Sequence, residues 1–331
     1  MKGIILHGGK GTRLRPLTNT GPKQLIPIAG KAISQYVVED LKDSGITDIA
    51  IVLGDVGPER VREYYGDGDR FGVHITYVDQ GKPAGISQAI GLCREFVGTD
   101  RFVVYLGDNL LKGGIPTYVR EFQESQSDLM LLLTRVKNPQ SFGVAEFDGG
   151  KLVRLVEKPK YPKSPYAVTG IYFCTPELFR AIDSIEPSKR GELEITDAIQ
   201  LMIEKADYRI VEGWWKDTGT AEDIIEANRF VLSKNIIEDG ASIKGATIAS
   251  PCFIGTGTTI DSKSEIGPYA SIGRGCFLEG VSIENSIVMD NCNIRRCPKK
   301  ITDSIIGKFT QIEGDSDSTR LLVGEDCQIT L

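Results

Sequence analysis

Over the first two hundred residues, short apolar runs alternate with stretches whose apolar positions recur at helical spacing. The runs at 3–6, 49–53, 74–78, 102–106 and 129–135 read as buried strands. Those at 34–42 and 88–96 read as amphipathic helices, the first ended near Gly45. Strands alternating with helices predict a largely parallel α/β sheet. Ligands bind such sheets beyond the carboxyl ends of the strands. The glycine-rich stretch after Leu6 and the Gly107-Asp108-Asn109 turn after Leu106 both fall there.

The pattern changes after Lys234. From Ala241 onward the helical period is lost, and Ile248, Ile254, Ile260, Ile266, Ile272 and Leu278 recur every six residues. Inward aliphatics at that period predict a parallel β-helix of hexapeptide turns, each burying its aliphatic against the next. The register blurs beyond Leu278, where Ile283, Ile287 and Ile305 suggest further coils. The boundary falls in residues 235–240, giving domains at 1–236 and 237–331.

Composition narrows the chemistry. The chain has 331 residues and a formal net charge of -6, so a nucleic-acid partner is not expected. No apolar run approaches a membrane span and no leader-like segment opens the chain. Seven cysteines without a Cys-x-x-Cys pair signal neither a disulfide framework nor a zinc site, and the expected location is cytoplasmic. Two histidines, His7 and His74, leave little for Ser-His-Asp hydrolysis or multi-histidine metal sites.

Gly8-Gly9-Lys10-Gly11-Thr12-Arg13-Leu14-Arg15 follows a strand and combines glycines with cations. Such a turn can aim N–H groups at a phosphate, or it can be a charged surface turn; the residues alone support both. Leu14 stands where a dinucleotide fingerprint needs its third glycine, which argues against a nicotinamide enzyme. Lys23 follows in Pro22-Lys23-Gln24-Leu25-Ile26-Pro27, where two prolines stiffen the backbone. Asp108 and Asp217 sit beside glycine in turns. They suit either a cation or local capping, Asp217 lying just ahead of a Thr220-x-x-Asp223 capping box.

The string Gly-Gly-x-Gly-Thr-Arg-Leu-x-Pro-x-Thr followed by Pro-Lys-Gln-Leu-x-Pro resembles the signature of sugar nucleotidyltransferases. Further matches follow in the family's order: Phe142-Gly143-Val144, Glu157-Lys158-Pro159, the run from Tyr166 to Gly170, Gly191 to Asp197, and Lys216-Asp217-Thr218-Gly219. The likeness spans residues 2 to about 236 and is greatest to the thymidylyltransferase branch with a β-helical tail. It implies a Rossmann-like domain with a mixed, mainly parallel sheet, followed by a left-handed parallel β-helix. It also implies transfer of a nucleoside monophosphate, foremost dTMP from dTTP, to a sugar 1-phosphate, foremost glucose 1-phosphate, with Mg²⁺ as cofactor. UTP as donor, or a non-catalytic nucleotide-sugar sensor, are the alternatives.

Carried over residue by residue, the resemblance puts Gly8, Gly9, Gly11, Thr12, Arg13, Lys23 and Gln24 at the nucleotide, with Gln80 and Gly85 at its base. Asp108 serves both nucleotide and metal, with Asp217 as the second metal ligand. Asn109, Gly143, Glu157, Lys158 and Val168 belong to the sugar phosphate. Arg13, Lys23, Asp108 and Lys158 are the catalytic candidates. Two positions depart from the family: His7, where alanine or serine is usual, and Phe142, where tyrosine is common. The tail lacks any histidine for acyl transfer, so it is expected to serve oligomerisation, possible through trimers, or regulation.

Overall fold

The computed structural model describes residues 1–314 and 321–330. Contacts divide the chain into two compact units, residues 1–10 with 34–217, and residues 11–33 with 218–331.

The first unit is built on a nine-stranded mixed sheet. In chain order its strands are β1 (Lys2–His7), β2 (Asp48–Leu53), β3 (His74–Asp79), β4 (Phe102–Leu106), β5 (Leu129–Arg135), β6 (Gly143–Asp148), β7 (Lys151–Glu157), β8 (Tyr166–Cys174) and β9 (Ala206–Ile210). β1 lies between β2 and β4, parallel to both, and β3 continues the parallel half. β1, β2 and β4 are near-continuous apolar runs because both sheet faces are covered there: Ile4, Ile5, Ile49, Ile51, Val103 and Val104 are fully buried. The other half is antiparallel. β8 pairs antiparallel with β4, β5 and β6, β6 and β7 form a hairpin, and β9 adds in parallel to β5. The hairpin turns on Gly149 and Gly150, both at positive φ, as a two-residue loop of the primed class requires.

The helix expected at 34–42 is Ile33–Asp43, burying Val37, Val38 and Leu41. The one expected at 88–96 is two pieces, Ile86–Gly91 and Arg94–Val97. Between them the Cys93 amide bonds the Ile90 carbonyl in a tighter turn, which interrupts the α-helical ladder. A further helix, Pro58–Tyr65, escaped the periodicity, although Pro58 at its start and Gly66 just past its end are ordinary stop signals.

In the second unit, residues 11–33 form three short 3₁₀ turns and a hairpin, Pro27–Ile28 against Lys31–Ala32. The helix Ala221–Val231 opens with the capping box foreseen at Thr220 and Asp223, each side chain satisfying the other's backbone amide. Parallel coils follow in three columns of short strands. The six-residue aliphatics face inward: Ile254, Ile260, Ile266, Ile272 and Leu278 are at most 1% exposed. Ile254 pairs with Ile272, eighteen positions on, whereas Ile272 pairs with Val288, only sixteen on. That shortened coil is why the sequence period blurs beyond Leu278.

Candidate active site

In the first unit, β1 delivers Gly8 and Gly9 to the carboxyl edge of the sheet. A Cβ on Gly8 would lie 2.8 Å from Gln80 Oε1, so the glycine lets the amide approach the turn. Gln80 is 7% exposed and held in place: its Nε2 donates to Gln88 Oε1 at 2.9 Å, and its own N–H donates to the Leu53 carbonyl. Gln88 also accepts from the Ala84 amide at 3.0 Å, tying down the loop that carries Gly85. Gly85 has φ +110, and a Cβ there would strike the Leu193 carbonyl oxygen at 2.4 Å. The motif around Leu193 therefore backs the loop of Gln80 and Gly85 through backbone contact, including Leu193 N–H to the Ala84 carbonyl at 2.8 Å.

His7 turns inward. It is 3% exposed, neither ring nitrogen finds a partner, and it meets Tyr65 edge-on with ring centroids 6.1 Å apart. Burial pushes its pKa down to about 3 despite the opposing pull of Asp108, so the imidazole is neutral. A Cβ on Gly107 would lie 3.0 Å from the His7 ring, which wedges under the Gly107-Asp108 turn.

The two metal candidates are brought together. The short strands Asn109–Leu111 and Trp215–Asp217 pair antiparallel with Asp217 directly opposite Asn109, hence next to Asp108. Asn109 Nδ2 donates to Asp108 Oδ1 at 2.9 Å and orients that carboxylate, which is 8% exposed. Among the described residues no cluster of three or more metal-type ligands occurs. Carboxylates at these two positions would suit Mg²⁺, which takes one or two together with substrate phosphates and water.

Three of the sugar-pocket candidates also converge. A Cβ on Gly143 would meet Thr196 Cγ2 at 3.0 Å, Glu157 Oε2 at 3.4 Å and Val168 Cγ2 at 3.8 Å. Gly143 and Glu157 are register partners across the β6–β7 hairpin. Lys158 adopts φ +42, a region few non-glycine residues occupy, and its amide bonds the Phe142 carbonyl at 3.0 Å. Its Nζ lies 3.4 Å from Glu157 Oε1. Phe142 packs edge-on against Trp215, whose indole N–H donates to the Thr169 carbonyl at 2.9 Å. The phenyl ring is thus part of a fixed wall.

Arg13 and Lys23 belong to the second unit. Gly11, at φ +56, starts the turn Thr12–Leu14, and its carbonyl accepts from the Thr18 hydroxyl at 2.8 Å. A Cβ on Gly219 would lie 2.9 Å from Arg13 Nη2, so the guanidinium rests on the Gly219 backbone. Lys23 opens the next turn, Lys23–Leu25, in which Gln24 is buried.

Sequence reading passed over Arg190. Its guanidinium spans both Glu194 oxygens at 2.8 Å and reaches Glu157 Oε1 at 3.4 Å, so it braces the Glu157 carboxylate. A lone arginine before a glycine carries no local signal of such a role. Thr196 was seen only as part of a motif; its hydroxyl is buried without a partner beside Gly143.

A nucleotidyl transferase family model matches residues 2–234, and one described as the GMPPB C-terminal domain matches 248–330. The chain belongs to the nucleotidyl transferase family. Within it, the low-salt glycan biosynthesis nucleotidyltransferase Agl11 of Haloferax volcanii is 44% identical, with 100% of each chain covered. A glucose-1-phosphate thymidylyltransferase of Streptomyces griseus is 39% identical, with 98% of each covered. Among solved structures, one from Bacillus anthracis, described as a candidate glucose-1-phosphate thymidylyltransferase in complex with sucrose, superposes with a TM-score of 0.68. It is 43% identical and covers 71% of this nucleotidyl transferase and 97% of its own chain. No helix among the described residues is long and apolar enough to cross a membrane.

Proposed function

We propose that this nucleotidyl transferase makes dTDP-glucose, transferring dTMP from dTTP to glucose 1-phosphate and releasing pyrophosphate. The observation that carries the reading is the near full-length similarity to relatives named glucose-1-phosphate thymidylyltransferase, at 39% and 41% identity. The convergence of Gly143, Glu157 and Val168 supports a sugar pocket in the first unit.

The chemistry asks for charge control more than for a base, because the attacking sugar-phosphate oxygen is already anionic. That oxygen forms a bond to the α-phosphorus of dTTP as the bond to the bridging oxygen breaks, and the pair leaves with pyrophosphate. Arg13 and Lys23 neutralise the nucleotide phosphates, and the N–H groups around Gly8, Gly9, Gly11 and Thr12 cradle them, with Gln24 alongside. Gln80 and Gly85 read the base; with Nε2 committed to Gln88, the Gln80 Oε1 is the atom suited to accept from a pyrimidine N3–H. Glu157, braced by Arg190, accepts sugar hydroxyls, Asn109 and the close approach at Gly143 and Val168 fit the ring, and Lys158 holds the sugar phosphate. Asp108 and Asp217 would hold Mg²⁺, which supplies Lewis-acid stabilisation of phosphate charge.

The family matches ending at 234 and beginning at 248 are consistent with domains at 1–236 and 237–331, the second a left-handed β-helix. Cytoplasmic location and assembly into homo-oligomers, trimers among them, through that β-helix complete the reading.

Pyrophosphate release with glucose 1-phosphate and Mg²⁺, comparing dTTP, UTP, CTP, ATP and GTP, tests it. Foremost turnover with dTTP is expected. Foremost turnover with UTP would overturn the base assignment at Gln80 and Gly85, and no turnover with any sugar phosphate would favour a binding protein.

A further inference from the structure

We infer that the β-helix holds the signature segment in its working shape, and that Asn228 is the positioning residue through which it does so. The inference rests on the reading of Arg13 and Lys23 as the phosphate cations. The segment 11–33 forms one compact unit with 218–331, which holds both the helix Ala221–Val231 and the coils.

Two anchor points define that support. At the segment's end, the hairpin Pro27–Ile28/Lys31–Ala32 turns on Ala29 and Gly30, at φ +45 and +79. A left-handed alanine needs an external hold. The Ala29 N–H donates to Asn228 Oδ1 at 2.9 Å, and Asn228 Nδ2 donates to the Tyr269 carbonyl of the β-helix at 3.0 Å. Asn228 is 0% exposed, so its amide bridges hairpin and coil with both ends used and water excluded. Beside it, a Cβ on Gly30 would fall 2.1 Å from the Phe253 ring, which means the turn's backbone lies on that ring. Ala29, Leu232 and Phe253 close a small apolar cluster around the bridge, with Val231 and Tyr269 at its edge.

The second anchor lies near the segment's start. Pro16 packs against Gly324, where a Cβ would meet it at 3.4 Å. Phe253 and Gly324 belong to coils well apart along the column, so residues 16–30 run across several coils. Arg13 precedes the second anchor by three residues, and Lys23 lies between the two. Lys23 is tied directly to the first: the Ile26 amide bonds the Lys23 carbonyl and the Ile33 amide bonds the Ile26 carbonyl, each at 3.1 Å. Release at Asn228 therefore loosens the turn that aims Lys23, while the sugar-pocket residues belong to the other unit.

Steady-state kinetics and amide hydrogen exchange on Asn228→Leu, with Arg13→Ala as control, test this in the full-length protein. Asn228→Leu is expected to lower kcat/KM for dTTP about 10–100-fold, as small misplacements at a reacting centre do. KM for glucose 1-phosphate should stay within about twofold, and exchange over residues 27–33 should accelerate in the folded protein. A variant that only melts earlier, with unchanged kcat/KM for dTTP, overturns the inference. If Arg13→Ala keeps full turnover, the phosphate-cation reading has failed instead. Should Asn228→Leu not fold, Asn228→Asp decides. It keeps the acceptor for Ala29 but loses the donor to Tyr269, so smaller changes of the same kind support the inference and none overturns it.

Discussion

His7 shows what a single residue does against expectation. It stands at the end of β1 beside the glycine turn, a place that invites a ligand contact, yet its ring is buried under Gly107 with both nitrogens unpartnered. Its folded pKa of about 3 lies below the ordinary 6.5. Between those values the unfolded chain binds a proton that the folded chain does not. The contribution to stability is therefore complete above pH 6.5 and is lost as pH falls, by about 1.4 kcal/mol per unit. In Mg²⁺-free buffer, the stability difference between wild type and His7→Ser should shift by about 2 kcal/mol from pH 7 to pH 5. Urea unfolding at the two pH values measures it, and a difference independent of pH would contradict the burial argument. Asp108, one strand end away, is the opposite case: its proposed role rests on its motif, and the ribbon register adds that Asp217 lies opposite the adjoining Asn109, which sequence could not supply. Asp108→Asn should cut turnover by at least about 100-fold while nucleotide binding changes far less. Single-turnover rates beside dTTP titrations separate the two, and normal turnover would remove Asp108 from the metal role.

At the scale of elements, legibility followed periodicity. The parallel strands β1, β2 and β4 are buried on both faces, and their apolar runs announce them. β6 and β7 are only partly buried and contain charges, so they left a faint trace, although Gly149-Gly150 between them was a readable hairpin signal. The loop before the helix Ile86–Gly91 was legible only as a motif. Its physical cause is the close approach of Gly85 to the Leu193 backbone, a contact between segments over a hundred residues apart. Ala at position 85 would be strained at φ +110 and would collide with a carbonyl that cannot swing aside as a side chain can. Gly85→Ala should raise KM for dTTP about tenfold or more, with KM for glucose 1-phosphate little changed. An unaltered KM for dTTP would mean that the loop relaxes without moving the base site.

For the whole molecule, the change from helical period to six-residue period was plain in the sequence, but the grouping of residues 11–33 with 218–331 was not. Pairings such as Ala29 with Asn228 leave no periodic mark, since each partner is a single residue in an otherwise ordinary stretch. The grouping has a consequence that unfolding can expose. Both tryptophans, Trp214 and Trp215, belong to the first unit, whereas Cys252, Cys276, Cys292 and Cys297 are buried in the second. Cys93 and Cys174 are buried in the first unit, so labelling is read by peptide mapping at those four thiols, and tryptophan emission and that labelling then report on different units. Ile272 is 0% exposed in the middle of the aliphatic column, and each coil is stabilised chiefly by its neighbours. Ile272→Ala should therefore cost about 2–5 kcal/mol and bring thiol exposure to lower urea. Because the signature segment rests on those coils, the urea concentration that halves turnover should fall with the thiol transition. Turnover that instead tracks tryptophan emission, surviving after the thiols become reactive, would show that the segment keeps its working shape without the coils beneath it.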